Sequence, residues 1–344
     1  MEKLKFEAEI IEGLEVWATA ELKKAGARLD EYDDEKSAGV LRFRFGKSLT
    51  RLQRLRVVNQ VFQIHHFDVP RPKALLGQQH FDRISEILND VADRIGRKNI
   101  GSFRLEAAGR DSVVFQRLIS EIERILKIPH EPEAGDLFLR VKPAIKNQKK
   151  GWELLVRETV RPLSTRPWRE FNYPGALAAP VAAVMLDMAA IHPDDKILNV
   201  MCGSGSLLAE NADHAGLMTG IDLNREALIG AKKNLKAAGA MASLFPADAT
   251  HLPFTDDSFD VLMSDLPWGQ LIGEVQDVQA LYPLVLEEAW RVTKPGGRFV
   301  VVTQLKKIMW QSVKSSRWNL VEQVSLNMGR VNPDIFLLES ISHS

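Results

Sequence analysis

The sequence contains a single cysteine and no long apolar run, and each absence excludes a class of protein. Cys202 has no partner in the chain, so an internal disulfide is impossible and a reducing, cytoplasmic location is favoured. No apolar segment approaches the ~18 residues that a membrane-spanning helix needs. Residues 1–6 are charged and lack the apolar region of a secretory signal peptide. The composition therefore predicts a cytoplasmic protein that is not inserted in a membrane.

The chain also lacks a net charge, with 45 basic and 45 acidic residues among its 344. Because nucleic-acid-binding proteins are usually basic, the distribution of charge is more informative here than the sum. Residues 140–169 contain nine basic side chains and only two acids, which predicts a phosphate-binding surface, unless these side chains simply form a solvated face. The residues for which we predict RNA contacts are Lys142, Lys146, Lys149, Lys150, Arg157, Arg166 and Arg169.

The N-terminal half mixes strand-like and helix-like periodicity. Residues 4–11 alternate apolar and polar side chains, as in a half-buried strand, and residues 14–22 have helical apolar spacing that ends at Gly26. Further segments, with a helix predicted over residues 48–56, give a β-α-β-α-β order within residues 1–70. After a break at residues 70–77, residues 72–165 carry their own helices and strands. His65 and His66 lack partners at zinc-site spacing and are interpreted as structural.

The C-terminal half has strands that alternate with helices, and four of these strands end in a polar side chain. The strand ends are Asn199, Asp222, Asp248 and Asp265. In an open α/β sheet the carboxyl ends of the strands form the edge where ligands bind. A glycine-rich turn follows the first strand, and Asp222 lies 17 residues after Gly205 (222 minus 205), near the spacing of a ribose-binding acid.

The segment from Val261 to Gly269 is the most informative of the chain. It predicts a buried strand that ends in an acid, a proline-fixed turn and an aromatic residue. The Asp265 carboxylate is suited to accept hydrogens from an exocyclic amine, with backbone carbonyls of Leu266 or Pro267 beside it. Trp268 offers a flat face on which a base can stack. By itself the tetrad also fits a β-turn with Trp268 in the core.

These patterns together resemble the class I S-adenosylmethionine-dependent methyltransferases over about residues 170–340. The resemblance implies an α/β fold, with a C-terminal Rossmann-like methyltransferase domain preceded by an α+β ferredoxin-like and THUMP RNA-binding region. The residues implied to bind S-adenosylmethionine are Asn199, Met201, Gly203, Ser204, Gly205, Asp222, Leu223, Asp248 and Ala249. The residues implied to carry catalysis are Asp265, Leu266, Pro267 and Trp268.

The upstream segment from Gly101 to Ala107, with the following helix, strand and residues 152–164, resembles a THUMP domain. The whole chain is similar to THUMP-containing tRNA guanine-N2 methyltransferases on residues 201–205, residues 265–269 and the connecting residues 166–177. This implies methyl transfer to guanosine N2 in tRNA, at position 6 in the acceptor stem, by a monomer without a metal ion. The expected divisions are residues 1–70 (ferredoxin-like), 71–165 (THUMP), 166–180 (linker) and 181–344 (methyltransferase).

Two residues depart from the family pattern, since Asn199 and Val200 replace its Asp-Pro pair. Asparagine can still hydrogen-bond the methionine ammonium of the donor but carries no charge. This departure keeps open a non-catalytic RNA-binding protein with a vestigial cofactor fold. The tetrad at residues 265–268 also fits amino-methyltransferases that act on another guanosine of tRNA, on ribosomal RNA or on DNA bases. A small-molecule methyltransferase is a further class that the C-terminal motifs allow.

Overall fold

The computed structural model describes residues 4–30, 38–144, 151–213, 216–268 and 275–341. The chain groups into two compact units, Met1–Ile10 with Ala18–Leu163 and Ile11–Trp17 with Ser164–Ser344. Among the described residues, no helix is long and apolar enough to cross a membrane.

The first unit is built on one mixed seven-stranded sheet. Its strands are β1 (Leu4–Glu9), β2 (Arg28–Leu29), β3 (Val40–Phe45), β4 (Gln60–Phe67), β5 (Phe103–Ala107), β6 (Leu137–Pro143) and β7 (Trp152–Arg157). Their order across the sheet is β2-β3-β1-β4-β7-β6-β5, and only β5 and β6 pair in parallel. The alternating strand predicted for residues 4–11 is confirmed as β1, in which Phe6 and Ala8 are buried.

The helices of this part of the chain are α1 (Glu15–Ala25), α2 (Gln78–Ile95) and α3 (Val113–Leu126). Helices α2 and α3 are amphipathic, and their apolar sides pack with β5, β6 and β7 in one core that includes Leu88 and Ile122. The helix predicted over residues 48–56 is wrong in type, because Leu49–Arg54 forms only a short 3-10 helix. Two further 3-10 helices are Pro72–Leu76 and Arg97–Asn99.

The predicted domain boundary at residue 70 falls within a continuous sheet. Strand β4 pairs with β7 from Phe62 opposite Arg157 to Phe67 opposite Trp152. Strands from residues 1–70 and from residues 71–165 therefore share backbone hydrogen bonds, and the division between these two segments stays a prediction.

The second unit contains a second seven-stranded sheet. Its strands are β8 (Ile197–Asn199), β9 (Met218–Asp222), β10 (Ser243–Pro246), β11 (Phe259–Asp265), β12 (Thr293–Thr303), β13 (Trp318–Ser325) and β14 (Asp334–Ser340). The order is β10-β9-β8-β11-β12-β14-β13. The first five strands in this order pair in parallel, and β14 pairs antiparallel with both of its neighbours, β12 and β13. The associated helices are α4 (Ala179–Ala189), α5 (Ser206–Glu210), α6 (Arg225–Ala238), α7 (Val275–Val292) and α8 (Lys306–Lys314).

The order of this sheet explains where a ligand would bind. The chain first builds outward from β8 to β10 and then returns to place β11 on the other side of β8. The crevice at such a reversal, at the carboxyl ends of the strands, is the usual ligand site of an open α/β sheet. Asn199 at the end of β8 and Asp265 at the end of β11 lie on either side of this reversal. The predicted α/β class of the C-terminal half is confirmed.

Two local expectations for this unit differ from the structure. The turn predicted at Lys294–Gly297 lies inside β12, where the pairing moves from Phe259 opposite Thr293 to Val261 opposite Arg298. Gly296 accommodates the resulting irregularity at a φ of 73°. The segment 166–180, expected to be a linker, groups with the second unit.

Candidate active site

The turn after β8 has a backbone that few residue types can adopt. Gly203 and Gly205 have φ angles of 52° and 76°, and Met201 between the strand and the glycines is also in the left-handed region at 53°. A side chain built on Gly203 would meet no atom within 4 Å, so this face of the turn is open. The turn therefore leaves room for a ligand to approach the backbone closely.

Asp222 at the end of β9 fastens this turn. One carboxylate oxygen accepts the Gly203 N–H at 2.8 Å, and the other accepts the Asn224 N–H at 2.8 Å. Asn224 in turn caps α6 by accepting the N–H of Glu226 at 2.9 Å. A carboxylate has about four lone-pair positions, so Asp222 keeps capacity for hydroxyl donors. Leu223, the next predicted cofactor residue, is 67% exposed.

Asp248 lies in the loop after β10, and its charge is stabilised locally. Its carboxylate accepts both the backbone N–H and the hydroxyl of Thr250 at 2.8 Å, and these two donors lower the pKa of Asp248. The neighbouring Ala249 is buried in the core of the unit, so its methyl group packs internally. Asp222 and Asp248 thus present already oriented acids at or just after the ends of neighbouring strands.

Asn199 occupies the position of the family acid but makes a contact that an ionised acid cannot make. It is 1% exposed, and its amide N–H₂ donates to the carbonyl of Met263 in β11 at 3.0 Å. The Val200 N–H donates to the same carbonyl at 2.9 Å, and the Ser264 hydroxyl donates to the Val200 carbonyl at 2.8 Å. The amide nitrogen is therefore engaged in joining β8 to β11, which leaves the Asn199 carbonyl oxygen as its means of accepting from a ligand.

The connecting segment is fastened to the glycine-rich turn through a residue that the sequence reasoning missed. Asn234 is fully buried on α6, accepts the Phe171 N–H at 2.8 Å, and donates to the carbonyls of Phe171 at 3.1 Å and Ser204 at 3.0 Å. The Phe171 ring lies against Gly230, where a Cβ atom would come within 2.1 Å of it. Residues of the predicted linker therefore form part of the wall of the candidate donor site.

A second hydrogen bond connects the same segment to the residue beside Asp222, the predicted ribose-binding acid. The Tyr173 hydroxyl accepts the Asn224 side-chain N–H at 2.9 Å, next to Asp222. The Arg169 guanidinium donates to the Leu177 carbonyl at 2.7 Å and to the Ser206 hydroxyl at 3.4 Å. Arg169 was predicted to contact RNA, but this side chain holds the connecting segment to the start of α5.

Asp265 differs from the other strand-end acids because, although the residue is only partly buried, its Oδ1 atom is inaccessible to solvent and has no hydrogen-bond partner among the described residues. Burial raises the pKa of Asp265 to about 7, and the nearby indole of Trp268 offsets only part of this shift. Asp265 lines a cavity of about 180 Å³ together with Trp268 and residues of the connecting segment and the β13–β14 loop. A carboxyl with this pKa can be ionised at neutral pH and accept hydrogen bonds from a ligand.

Leu266 and Pro267 are not among the described residues that line this cavity. The Leu266 N–H donates to the carbonyl of Val302 in β12 at 3.1 Å. The Pro267 carbonyl accepts the hydroxyl of Tyr282 at 2.8 Å, and that hydroxyl also lies 2.6 Å from the Thr303 hydroxyl. Because a carbonyl oxygen has two lone pairs, this bond leaves room for a second donor, and the contact of the Leu266 or Pro267 carbonyl with a substrate amine stays a prediction.

The sequence contained weak signals for the two residues that were missed. Asn234 lies on the same stripe of α6 as the buried Ala227 and Ala231, so an amide appears where an apolar side chain is expected. Tyr282 lies likewise on the buried side of α7 and is fully buried. A polar group on an apolar helix face must find an internal partner, which indicates a structural hydrogen bond.

The structure does not favour the predicted phosphate contacts of the described basic residues. Arg157 is 6% exposed and donates to the carbonyls of Thr159 and Asp136, and burial lowers its pKa to about 10. Arg166 is paired with the buried Glu210 at 3.0 Å, and Lys142 with Glu7 at 2.7 Å. Each of these cations is engaged within its own unit, and their contacts with RNA stay predictions. The predictions for Lys146, Lys149 and Lys150 lie outside the described residues.

No group of three or more His, Cys, Asp or Glu side chains in the described part of the chain is arranged to hold a metal ion. The pKa of His65 falls to about 4, chiefly because of burial. Cys202 is free and buried, and burial raises the pKa of its thiol. The side chains and groups of the candidate site described above are carboxylates, backbone groups and Trp268.

Comparison with known proteins agrees with this geometry. Residues 166–333 match the family described as UPF0020: RMKL-like, methyltransferase domain. The chain is similar in fold to the crystal structure of TrmN from Thermus thermophilus, with a TM-score of 0.75 and 22% identity over 98% of this chain and all of that chain. Residues 166–333 therefore match a methyltransferase domain, as the motifs of the C-terminal half predict. The upstream THUMP assignment stays a prediction.

Two curated relatives bear on the substrate. A tRNA (guanine(6)-N2)-methyltransferase from Thermus thermophilus is 28% identical over 255 residues, which cover 70% of this chain and 73% of the relative. A tRNA (guanine(6)-N(2))-methyltransferase THUMP3 from Bos taurus is 30% identical over 189 residues, or 50% of this chain. That match spans only 37% of the bovine protein.

Proposed function

We propose that this protein transfers a methyl group from S-adenosylmethionine to the exocyclic N2 of a guanosine in tRNA, at position 6. The observation that carries the proposal is the placement of Asp265, a carboxylate with one buried, unpartnered oxygen at the end of β11, across the sheet reversal from the glycine-rich turn. A methyltransferase domain needs a donor site and an amine acceptor site side by side, and this sheet edge offers residues suited to both.

The donor site is supported by three features of this chain. Gly203 leaves an open face on a left-handed turn, and Asp222 and Asp248 are held by backbone N–H groups at the positions suited to ribose and adenine. Asn234 and Tyr173 fix the neighbouring connecting segment. When bound, S-adenosylmethionine supplies an electrophilic methyl group.

Asp265 acts on the other side of the edge. The guanine amine is a poor nucleophile because its lone pair is delocalised into the ring. By accepting an amine hydrogen, the Asp265 carboxylate draws the nitrogen toward a tetrahedral geometry and stabilises the positive charge that develops on it. Leu266 and Pro267 hold the carboxylate in place by shaping the turn, so catalysis is mostly positioning. A base paired in an acceptor stem must leave its helix to reach this cavity.

The choice of tRNA and of position 6 is supported by the named activities of the two relatives, of which the Thermus protein aligns with most of this chain. The predicted RNA-binding character of the upstream unit agrees with a nucleic-acid substrate. The replacement of the family acid by Asn199 favours one competing function, a protein that binds RNA without catalysing transfer.

One experiment distinguishes these functions. The purified full-length protein is incubated with unmodified tRNA transcripts and S-adenosylmethionine that carries a labelled methyl group, and the nucleosides are analysed by mass spectrometry. We expect labelled N2-methylguanosine. The label should be lost when guanosine 6 is replaced by adenosine and its pairing partner in the stem is changed to restore the base pair. Label in another guanosine would correct the position, label in adenosine would contradict the base, and no label despite donor binding by calorimetry would favour the non-catalytic protein.

A further inference from the structure

The cavity beside Asp265 contains two buried polar atoms without partners. Asp265 Oδ1 and Trp268 Nε1 make no hydrogen bond of good geometry within the part of the chain that the structure describes, although the indole N–H lies near enough to the Asp265 carboxylate to lower its pKa. Buried polar atoms in native proteins are nearly always paired, and the indole N–H of a buried tryptophan usually finds an acceptor. One of these atoms is an acceptor and the other is a donor, and both residues line the same cavity.

The remaining walls of the cavity are apolar. None of the other side chains that line it in the described residues has a hydrogen-bonding group; they are Gly175, Ala176, Leu177, Ala178, Val181, Val302, Met328, Val331 and Pro333. Asp265 and Trp268 are therefore the hydrogen-bonding side chains that the described residues contribute to this cavity. A flat, mostly apolar ligand with one donor next to one acceptor would satisfy both atoms and pack against the walls.

The nucleobases that carry an exocyclic amine have this arrangement. In guanine the amine is attached to C2, and the adjacent ring nitrogen N3 is an acceptor. The stacking role predicted for Trp268 uses only the face of the indole and gives its N–H no contact with the base. Phenylalanine and tyrosine would supply the face without this donor.

We propose that Trp268 positions the target base through its indole N–H, which donates to N3 of the guanine while Asp265 accepts a hydrogen of the N2 amine. The inference rests on the proposed function, because guanine is the base assigned there. The two contacts, one at N2 and one at N3, hold the base in one orientation within its plane. The amine lone pair therefore points in one direction. A base without the ring acceptor would leave the indole N–H buried and unpaired.

The test is a chemical double-mutant cycle. RNA substrates carry either guanosine or 3-deazaguanosine, in which a carbon replaces N3, at the methylated position. The wild-type protein and Trp268→Phe, which keeps a flat ring but loses the N–H, are compared on both substrates by kcat/KM. We expect the wild type to prefer guanosine by about tenfold to 100-fold. Trp268→Phe should use the two substrates equally, at a rate close to that of the wild type on 3-deazaguanosine.

The control variant is Trp310→Phe, which changes an exposed tryptophan of α8 that does not line the cavity. It should keep the wild-type preference, and calorimetry should give unchanged S-adenosylmethionine affinity for both variants. The same guanosine preference in the wild type and in Trp268→Phe would overturn the inference. Absence of guanosine methylation by the wild type would instead overturn the proposed function, and the inference with it.

Discussion

The two sides of the candidate site treat their carboxylates in opposite ways. Asp222 and Asp248 each accept two hydrogen bonds from neighbouring N–H or hydroxyl donors. Asp265 has an inaccessible, unpartnered oxygen and a pKa raised to about 7. The proposed donor side is therefore organised by hydrogen bonds within the chain, whereas the proposed acceptor side contains an unsatisfied group.

This contrast indicates what each side is selected to do. Satisfied acids hold a turn in a fixed conformation. An unsatisfied buried acid reduces stability, and proteins retain such groups mainly where function requires them. Each prediction below concerns a residue on one side of the site, so that the other side serves as the reference for comparison.

A first expected effect is on the pH dependence of the reaction, in the proposed mechanism. Asp265 accepts the amine hydrogen in its ionised form, and this form is populated as the pH rises through about 7. We expect kcat/KM for RNA to rise about tenfold per pH unit below pH 7 and to level off above it. Donor affinity should change little over pH 6–8, because Asp248 is ionised throughout that range. A flat rate profile from pH 5.5 to 8 would contradict the assignment.

Replacing a carboxylate with an amide should change the free energy of unfolding in opposite directions at Asp265 and at Asp222. Asp265 has an ordinary pKa of 3.8 and loses its proton near 7 in the folded protein, so the unfolded chain ionises first and the free energy of unfolding falls as pH rises between these values. Asp265→Asn removes this cost, and it should stabilise the protein above pH 7 by up to about 4 kcal/mol.

The matched variant is Asp222→Asn, which weakens two hydrogen bonds to backbone N–H groups. It should lower the free energy of unfolding by about 1–2 kcal/mol at the same pH. Thermal and denaturant unfolding at pH 5 and pH 8 measure both variants. If Asp265→Asn destabilises the protein at pH 8, the carboxyl is not the unsatisfied group described here.

Restoring the family acid should weaken the protein. Asn199→Asp replaces an amide donor with a carboxylate that faces the Met263 carbonyl in a site that is 1% exposed. We expect a loss of about 1–3 kcal/mol in the free energy of unfolding at pH 8, measured by denaturant titration. The same substitution at Asn319, which is exposed on β13, should have little effect. Greater stability in Asn199→Asp would show that the amide does not join the two strands.

The smallest expected effect concerns the turn that carries Asp265. Tyr282→Phe removes the hydroxyl that donates to the Pro267 carbonyl, so the turn should loosen and kcat should fall about tenfold with unchanged donor affinity. Thr303→Val removes the other partner of that hydroxyl but keeps the contact with Pro267. It should reduce stability and leave kcat near the wild-type value. Equal losses of kcat in both variants would argue against positioning by Tyr282.

Local patterns in the sequence predicted the features that depend on neighbouring residues. The strand ends at Asp222 and Asp265 and the glycine-rich turn follow from alternation, glycine content and spacing, and the structure places them at one sheet edge. The amphipathic helices α2 and α3 were likewise predictable, because their apolar period identifies the buried face.

Features that depend on distant partners were not predictable in this way. Arg166 lies in a basic segment, but its partner Glu210 follows 44 residues later, so a buried ion pair resembled a phosphate contact. The sheet that joins residues 1–70 to residues 71–165 depends on the pairing of β4 with β7, which no local period encodes. The engagement of Pro267 by Tyr282 also arises only from the packing of α7.

The central claim is that Asp265 binds the amine of the target base and takes no part in holding the methyl donor. It is tested most directly by measuring methyl transfer to tRNA and S-adenosylmethionine affinity on the same preparation of Asp265→Ala. We predict that transfer falls by at least about 100-fold, while calorimetry gives a donor affinity within about threefold of the wild type. Parallel loss of transfer and donor binding, or transfer near the wild-type rate, would contradict the claim.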